Sequence, residues 1–267
     1  MAAFAQQGLP VTGGARGLAM GNASATFSDI NSAFSNQAGV AMLEKPAFLA
    51  FGEQRFLVSA LNTYAFAGVV PVKTYGSFGI TANYFGYESY NEQKLGLLYA
   101  RKLAKNFSLG VQLDYLTTRI PEYGMSQSFT FELGFLYKIS QYVSVAGHTY
   151  NPVRVKLPNG EALPTLFKFG LAYNPSDEVT VTTELEKNIN YPMSAKMGLE
   201  YRPLPLLALR VGAASAPFRA SFGVGVRLDN FVLDFASSYH EVLGFSPAVG
   251  LSYRMGQKSE TPKAAAH

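Results

Sequence analysis

The sequence has no cysteine, no tryptophan and only three histidines among 267 residues. Without cysteine there is no disulfide framework, no thiol nucleophile and no thiolate metal site. The histidines (His148, His240 and His267) stand apart, and none pairs with a carboxylate at metal-ligand spacing, so no metal or other cofactor is expected. Charged residues make up only 15% of the chain, against roughly 25% in an ordinary soluble domain. Lys and Arg outnumber Asp and Glu by 22 to 18. The net charge of +4 is too small and scattered for a nucleic-acid-binding face. A transmembrane helix is excluded as well, because no run of about 18 apolar residues occurs.

What is present is apolar and regular. Hydrophobic residues make up 48% of the chain, with 25 Gly, 20 Phe and 16 Tyr. From Pro46 to Met255 apolar and polar residues alternate with a period of two, the signature of strands with one apolar face. Phe129, Phe131, Leu133, Phe135, Tyr137 and Ile139 oppose Thr130, Glu132, Gly134 and Lys138, with Leu136 the exception. Ala195, Met197, Leu199 and Tyr201 likewise oppose Ser194, Lys196, Gly198, Glu200 and Arg202. The pattern predicts fourteen strands, at about 46–54, 58–70, 76–86, 93–103, 107–117, 127–139, 143–149, 164–173, 179–187, 193–202, 206–213, 219–228, 231–239 and 246–255. Most are near the roughly 9–11 residues that cross a bilayer at a tilt, and longer than the soluble mode of roughly five to six.

The connections fall into two alternating classes. Those at 103–106, 140–142, 174–178, 203–205 and 229–230 are short, while those at 87–92, 118–126, 150–163, 188–192 and 240–245 are longer. That asymmetry is the habit of outer-membrane barrels, and an even strand count then predicts both termini on the short-turn, periplasmic side. A soluble sandwich would alternate too, with its apolar face inside. The polar face argues for the barrel. It is rich in glycine, at 110, 134, 170, 198, 212, 223, 225 and 250, which leaves room for something in the lumen. Its charges also compensate across neighbouring strands, with Glu184 expected to pair with Lys196, Glu200 with Arg210, and Arg227 with Asp234. Asp114 and Glu132 share that face. Tyrosines near strand ends, such as Tyr64, Tyr99, Tyr137 and Tyr253, predict an interfacial girdle.

Residues 8–45 break the pattern. A Gly-rich run of small residues leads into a short helical pattern from Ser28 to about Leu43, which Ser28 or Asp29 can cap. About forty small and apolar residues ahead of a Gly-lined barrel suggest a plug. Before them, Ala3-Phe4-Ala5 has the form of a signal-peptidase site, so residues 1–7 read as a signal-peptide remnant or a flexible N-terminus. After the barrel at 46–255, residues 256–267 read as a disordered polar tail. The fold class is therefore all-β, a 14-stranded antiparallel transmembrane β-barrel with an N-terminal hatch containing a short helix.

Gly14-Ala15-Arg16-Gly17-Leu18-Ala19-Met20-Gly21-Asn22-Ala23, followed by Asp29-Ile30-Asn31-Ser32-Ala33-Phe34-Ser35-Asn36-Gln37-Ala38-Gly39, resembles the hatch of a barrel superfamily. That superfamily includes the FadL-type long-chain fatty acid transporters and the PorV and PorQ barrels of the Bacteroidetes type IX secretion system. The resemblance marks Gly14, Met20, Gly21, Asp29, Phe34, Asn36, Ala38 and Gly39 as hatch positions, with Gln37 where the family carries proline. Gly250-Leu251-Ser252-Tyr253-Arg254-Met255 also looks like the terminal-strand signal of barrels inserted by the outer-membrane assembly machinery. The resemblance implies a bacterial outer-membrane location, lipid as the surrounding partner, and a role in either secretion or transport.

No serine can be tied by spacing to His148 or His240, which read as rim or loop histidines, so no enzyme is expected. Two functions remain. One is a scaffold or accessory barrel of a type IX secretion-like envelope complex, holding a protein partner. The other is a FadL-like passive channel for hydrophobic small molecules. Only the 150–163 loop is sizeable, and Asn151, Arg154, Lys156, Asn159 and Glu161 give it the character of a partner contact. On that ground the scaffold is preferred.

Overall fold

The computed structural model describes residues 13–121, 124–155 and 162–256. The expected signal remnant at 1–7, the first residues of the 8–45 segment, and the tail after Gly256 lie outside the described residues. Fourteen strands follow one another: β1 (Ala47–Gln54), β2 (Asn62–Val72), β3 (Gly76–Tyr87), β4 (Tyr90–Ala104), β5 (Phe107–Ile120), β6 (Gly124–Lys138), β7 (Val143–Tyr150), β8 (Leu166–Tyr173), β9 (Val179–Asn188), β10 (Ser194–Leu204), β11 (Leu207–Ser215), β12 (Phe218–Leu228), β13 (Phe231–His240) and β14 (Gly244–Arg254). Each pairs antiparallel with the next, and β14 returns to β1, with Ala47 opposite Arg254. Antiparallel closure of a single meander needs an even number of strands, and it leaves no unpaired edge.

The burial pattern is inverted relative to a soluble protein. Phe129 and Leu97 are 71% and 67% exposed, whereas Glu132, three residues along from Phe129 and on the other face, is fully buried. Leucine outside and glutamate inside is stable only where the exterior meets lipid and the interior supplies partners for charge. Aromatic pairs gather toward both rims. Phe78–Tyr99, Phe107–Tyr137 and Phe231–Tyr253 lie toward the short-turn end, and Tyr64–Tyr84, Tyr115–Phe129 and Tyr239–Phe245 toward the other.

Several connections differ from expectation. The supposed long loops at 87–92 and 118–126 are mostly strand, because β4 and β5 continue pairing out to Asn91 with Arg119 and Glu92 with Thr118. Beyond the bilayer a polar ladder meets no desolvation penalty, so the hairpins extend into water. Of the expected long loops only that between β7 and β8 remains long, while the connection between β1 and β2, expected to span three residues, spans seven.

Candidate functional site: a lumen filled by the N-terminal segment

Residues 13–43 lie inside the barrel. Helix α1 (Gly14–Ala19) packs against the inner faces of β11 to β14. The single helical pattern expected between Ser28 and Leu43 is instead two 3-10 turns, Ile30–Phe34 and Gln37–Met42. Two local bonds account for the break. Asp29 caps the first turn by accepting from the Asn31 N–H, and Asn36, extended between the turns, caps the second by accepting from the Ala38 N–H.

The glycines on the strands' polar face make this fit possible. A β-carbon at Gly212 would lie 2.1 Å from the Gly21 backbone nitrogen, and one at Gly110 would lie 2.3 Å from that of Ala38. Segment and wall therefore meet backbone to backbone at both places. Met20 is fully buried beneath the inner face of β10, where a β-carbon at Gly198 would meet its carbonyl oxygen at 2.6 Å. Between these contacts Ile30, Phe34, Val40 and Leu43 form an apolar cluster with Leu49, Ala67, Val69, Leu98 and Ala100 of β1, β2 and β4. The lumen wall is thus not uniformly polar. Where the segment presents hydrophobic side chains, the inward face answers with its own, which explains why β4 alternates weakly in sequence.

Two charged clusters tie the segment to the wall. In the first, Arg16 forms a fork with Glu200, through Nε to Oε2 and Nη2 to Oε1, both 2.9 Å, and donates from Nη1 to Asp29 at 2.5 Å. Its guanidinium lies 4.3 Å from the centroid of the Phe27 ring. Burial alone would lower the Arg16 pKa, but Glu200 and Asp29 outweigh it and raise it above the ordinary arginine value, so the charge is permanent. Arg210 adds Nε to Glu200 Oε2 at 2.6 Å and Nη1 to Asp234 Oδ1 at 2.6 Å.

The second cluster centres on Glu132, which accepts from Lys94 Nζ at 2.6 Å and from Gln37 Nε2 at 2.7 Å, and lies 2.9 Å from His148 Nε2. Asp114 stands 3.8 Å from Lys94 Nζ and accepts from Gln112 at 2.8 Å. Glu184 completes the set: it takes the Ser24 and Ala25 backbone N–H groups at 3.0 and 2.8 Å while paired with Lys196 at 3.1 Å. Asn36 donates to the Phe135 carbonyl at 3.0 Å.

Glu184 with Lys196 and Glu200 with Arg210 face each other directly across adjacent strands. Arg227 does not pair with Asp234. Register places Asp234 opposite Gly225, and the missing side chain there lets Arg210 reach across β12 to take it. Arg227 sits instead at the short-turn rim, opposite Val232. His148, read as a rim histidine, is buried within β7; His240 does lie at a strand end, accepting from the Val242 N–H. Asn151 is not free to contact a partner: it is buried and clamps its own loop, donating to the Leu163 carbonyl and accepting from the Val155 N–H and from Thr130 Oγ1. Arg154 is exposed, while Lys156, Asn159 and Glu161 lie outside the described residues. Sequence reasoning missed Arg16, Gln37, Lys94 and His148 as anchors. The available signal was parity for Lys94 and His148, but nothing for Arg16 and Gln37, whose partners lie far along the chain.

Between Arg16 and the short-turn rim lies a recess of about 110 Å³. Among the described residues no group of His, Asp and Glu is placed to hold a metal ion.

No protein-family profile and no curated protein matches the chain. Among solved structures it is similar to the P. putida toluene transporter TodX, at 11% identity and a TM-score of 0.66 over 92% of this chain and 99% of that one. It is similar also to the CymD monoaromatic hydrocarbon channel (13%, 0.67, 90% and 96%) and to a Pseudomonas aeruginosa FadL homologue (11%, 0.62, 91% and 98%). At such identities the likeness is one of fold. The PorV and PorQ branch of the resemblance gains no support from these comparisons.

Proposed function

We propose that the chain is a non-enzymatic outer-membrane barrel that passes small hydrophobic molecules, with residues 13–43 as the hatch that closes its lumen and both termini periplasmic. The observation that carries this reading is the filled lumen. A diffusion porin needs a standing water path, and the backbone contacts at Gly21 and Ala38 leave none there. The scaffold reading, preferred from sequence, loses its ground as well. Among the described residues, Asn151, expected to contact a partner, is instead buried and committed to its own loop. The fold likeness adds weight, since TodX and CymD are described as hydrocarbon channels and match this chain almost end to end.

The test is uptake. In a Gram-negative host stripped of its own hydrophobic-molecule channels, the chain should raise accumulation of radiolabelled toluene or oleate severalfold over empty vector. A stoichiometric large envelope protein that co-purifies, with no gain in uptake, would restore the scaffold. Deleting residues 13–43 should also convert a silent barrel into an ion-conducting one in planar bilayers, and unchanged conductance would refute the hatch.

A further inference from the structure

The recess at the short-turn rim borders the Arg16 cluster that anchors the hatch, but its outermost arginines, Arg202, Arg227 and Arg254, make none of the anchoring bonds. Its floor includes Arg16, Asp29 and Ile30, and its walls come from β10 to β14. Arg202, Arg227 and Arg254 follow the inward parity of their strands, two residues past Glu200, Gly225 and Ser252. They are also level with one another. The backbone N–H of each bonds to the carbonyl of a neighbouring turn: Arg202 to Glu178, Arg227 to Leu206 and Arg254 to Asn230.

Charge in the recess is unbalanced. Five arginines and three carboxylates line it, an excess of two positive charges. The carboxylates are already engaged, Asp29 by Arg16, Glu200 by Arg16 and Arg210, and Asp234 by Arg210. Arg202 Nε stands 3.6 Å from Glu200 Oε1, beyond hydrogen-bond reach, and has no other partner. Among the described residues, the side chains of Arg227 and Arg254 make no hydrogen bond or ion pair. Arg227 stands in the field of Arg254, Arg202 and Arg16, with Glu200 the carboxylate acting on it. Holding guanidinium groups together with fewer carboxylates than cations is unfavourable, and it preorganises their donors for an anion. Ile30, Leu206, Leu207, Ala208 and Val232 give the same recess an apolar flank.

We propose that this recess binds a small organic carboxylate, its anionic head among Arg202, Arg227 and Arg254 and its apolar body against Ile30, Ala208 and Val232. The recess of about 110 Å³ is smaller than the roughly 150 Å³ of an apolar cavity that takes benzene, so it holds the carboxylate head and part of a compact body, the rest reaching out toward the rim. The site stands on its own geometry; its use as the last stop before the periplasm rests on the channel reading.

The full chain in mild detergent is titrated by equilibrium dialysis with benzoate, toluene and inorganic phosphate. Benzoate should bind about tenfold or more tightly than toluene, the scale of one charge-assisted hydrogen bond. Replacing Arg227→Gln together with Arg254→Gln should erase that preference, and Arg227→Lys with Arg254→Lys should restore part of it. Heat-modifiable migration on gels reports that each variant is folded. Equal affinity of the parent chain for benzoate and toluene overturns the proposal, as does a double glutamine variant that keeps the preference. Tighter binding of phosphate than of benzoate overturns it in favour of a phosphate group, free or on a lipid. A comparable gain in benzoate affinity on removing residues 257–267 would assign the arginines to the tail's own carboxylates and overturn it too. Uptake failing while benzoate still binds would remove the channel reading alone.

Discussion

The hatch is held on two sides of the lumen by different chemistry. On the β10–β13 side the anchor is Arg16, whose planar fork meets both oxygens of Glu200 while a third nitrogen reaches Asp29. On the β4–β8 side the anchor is the Gln37 amide, sharing Glu132 with Lys94 and His148. The first cluster is nearly saturated. The second leaves His148 Nδ1, Asp114 Oδ2, Tyr150 Oη and Lys168 Nζ without a hydrogen-bond partner among the described residues. A bidentate guanidinium pair permits one geometry, whereas an amide and an ammonium on one carboxylate permit several. The comparison suggests a hatch hinged at arginine and able to loosen at glutamine.

The sharpest way to break that contrast is Arg16→Ala. Glu200 keeps Arg210 as a partner, but the loss of three charge-assisted hydrogen bonds, each worth about 1.5–3 kcal/mol, should give a lower unfolding temperature and bursts of ion conductance. A variant as stable and silent as the parent would mean that packing alone holds the hatch. Gly198→Leu should come next, at about 1–3 kcal/mol, because its β-carbon would already press on the Met20 carbonyl oxygen. Leu199→Phe, on the lipid face, is the matched control and should change stability by no more than about 0.5 kcal/mol. Equal effects of the two would mean that the faces are inverted. Of the variants at the segment's contacts, Gln37→Ala should have the smallest effect, about 1.5 kcal/mol for one hydrogen bond to a charged acceptor, read as brief channel openings with a slightly lower unfolding temperature. If Gln37→Ala matched Arg16→Ala in conductance, the two sides would be equivalent.

Much of the fold was legible because a barrel strand reports its environment at every second residue. Phe129 and Phe131 against Thr130 and Glu132 read correctly without any neighbour. Direct cross-strand pairs, such as Glu184 with Lys196, were legible for the same reason, since hairpin register fixes who faces whom. The expected Arg227–Asp234 pair failed because Arg210 reached past a glycine-bearing strand, a diagonal that no pairwise register contains. Asn151 misled because a polar residue in a long loop looks available until its hydrogen bonds are known. His148 misled because β7 was expected to end beside it, whereas the strand runs on to Tyr150 and turns the ring inward.

By itself, the sequence determined the strand count, the lipid and lumen faces and the break between the N-terminal segment and the strands, all consequences of local alternation and composition. Tertiary structure alone decided which plug groups meet which wall groups. Arg16 and Glu200 are 184 residues apart, Gln37 and Glu132 are 95 apart, and the rim arginines of β10, β12 and β14 line one recess only because the sheet curves inward around it. Side-chain alternation is set by the backbone of a single strand, but a contact across a lumen depends on closure, register and the thickness of what lies between.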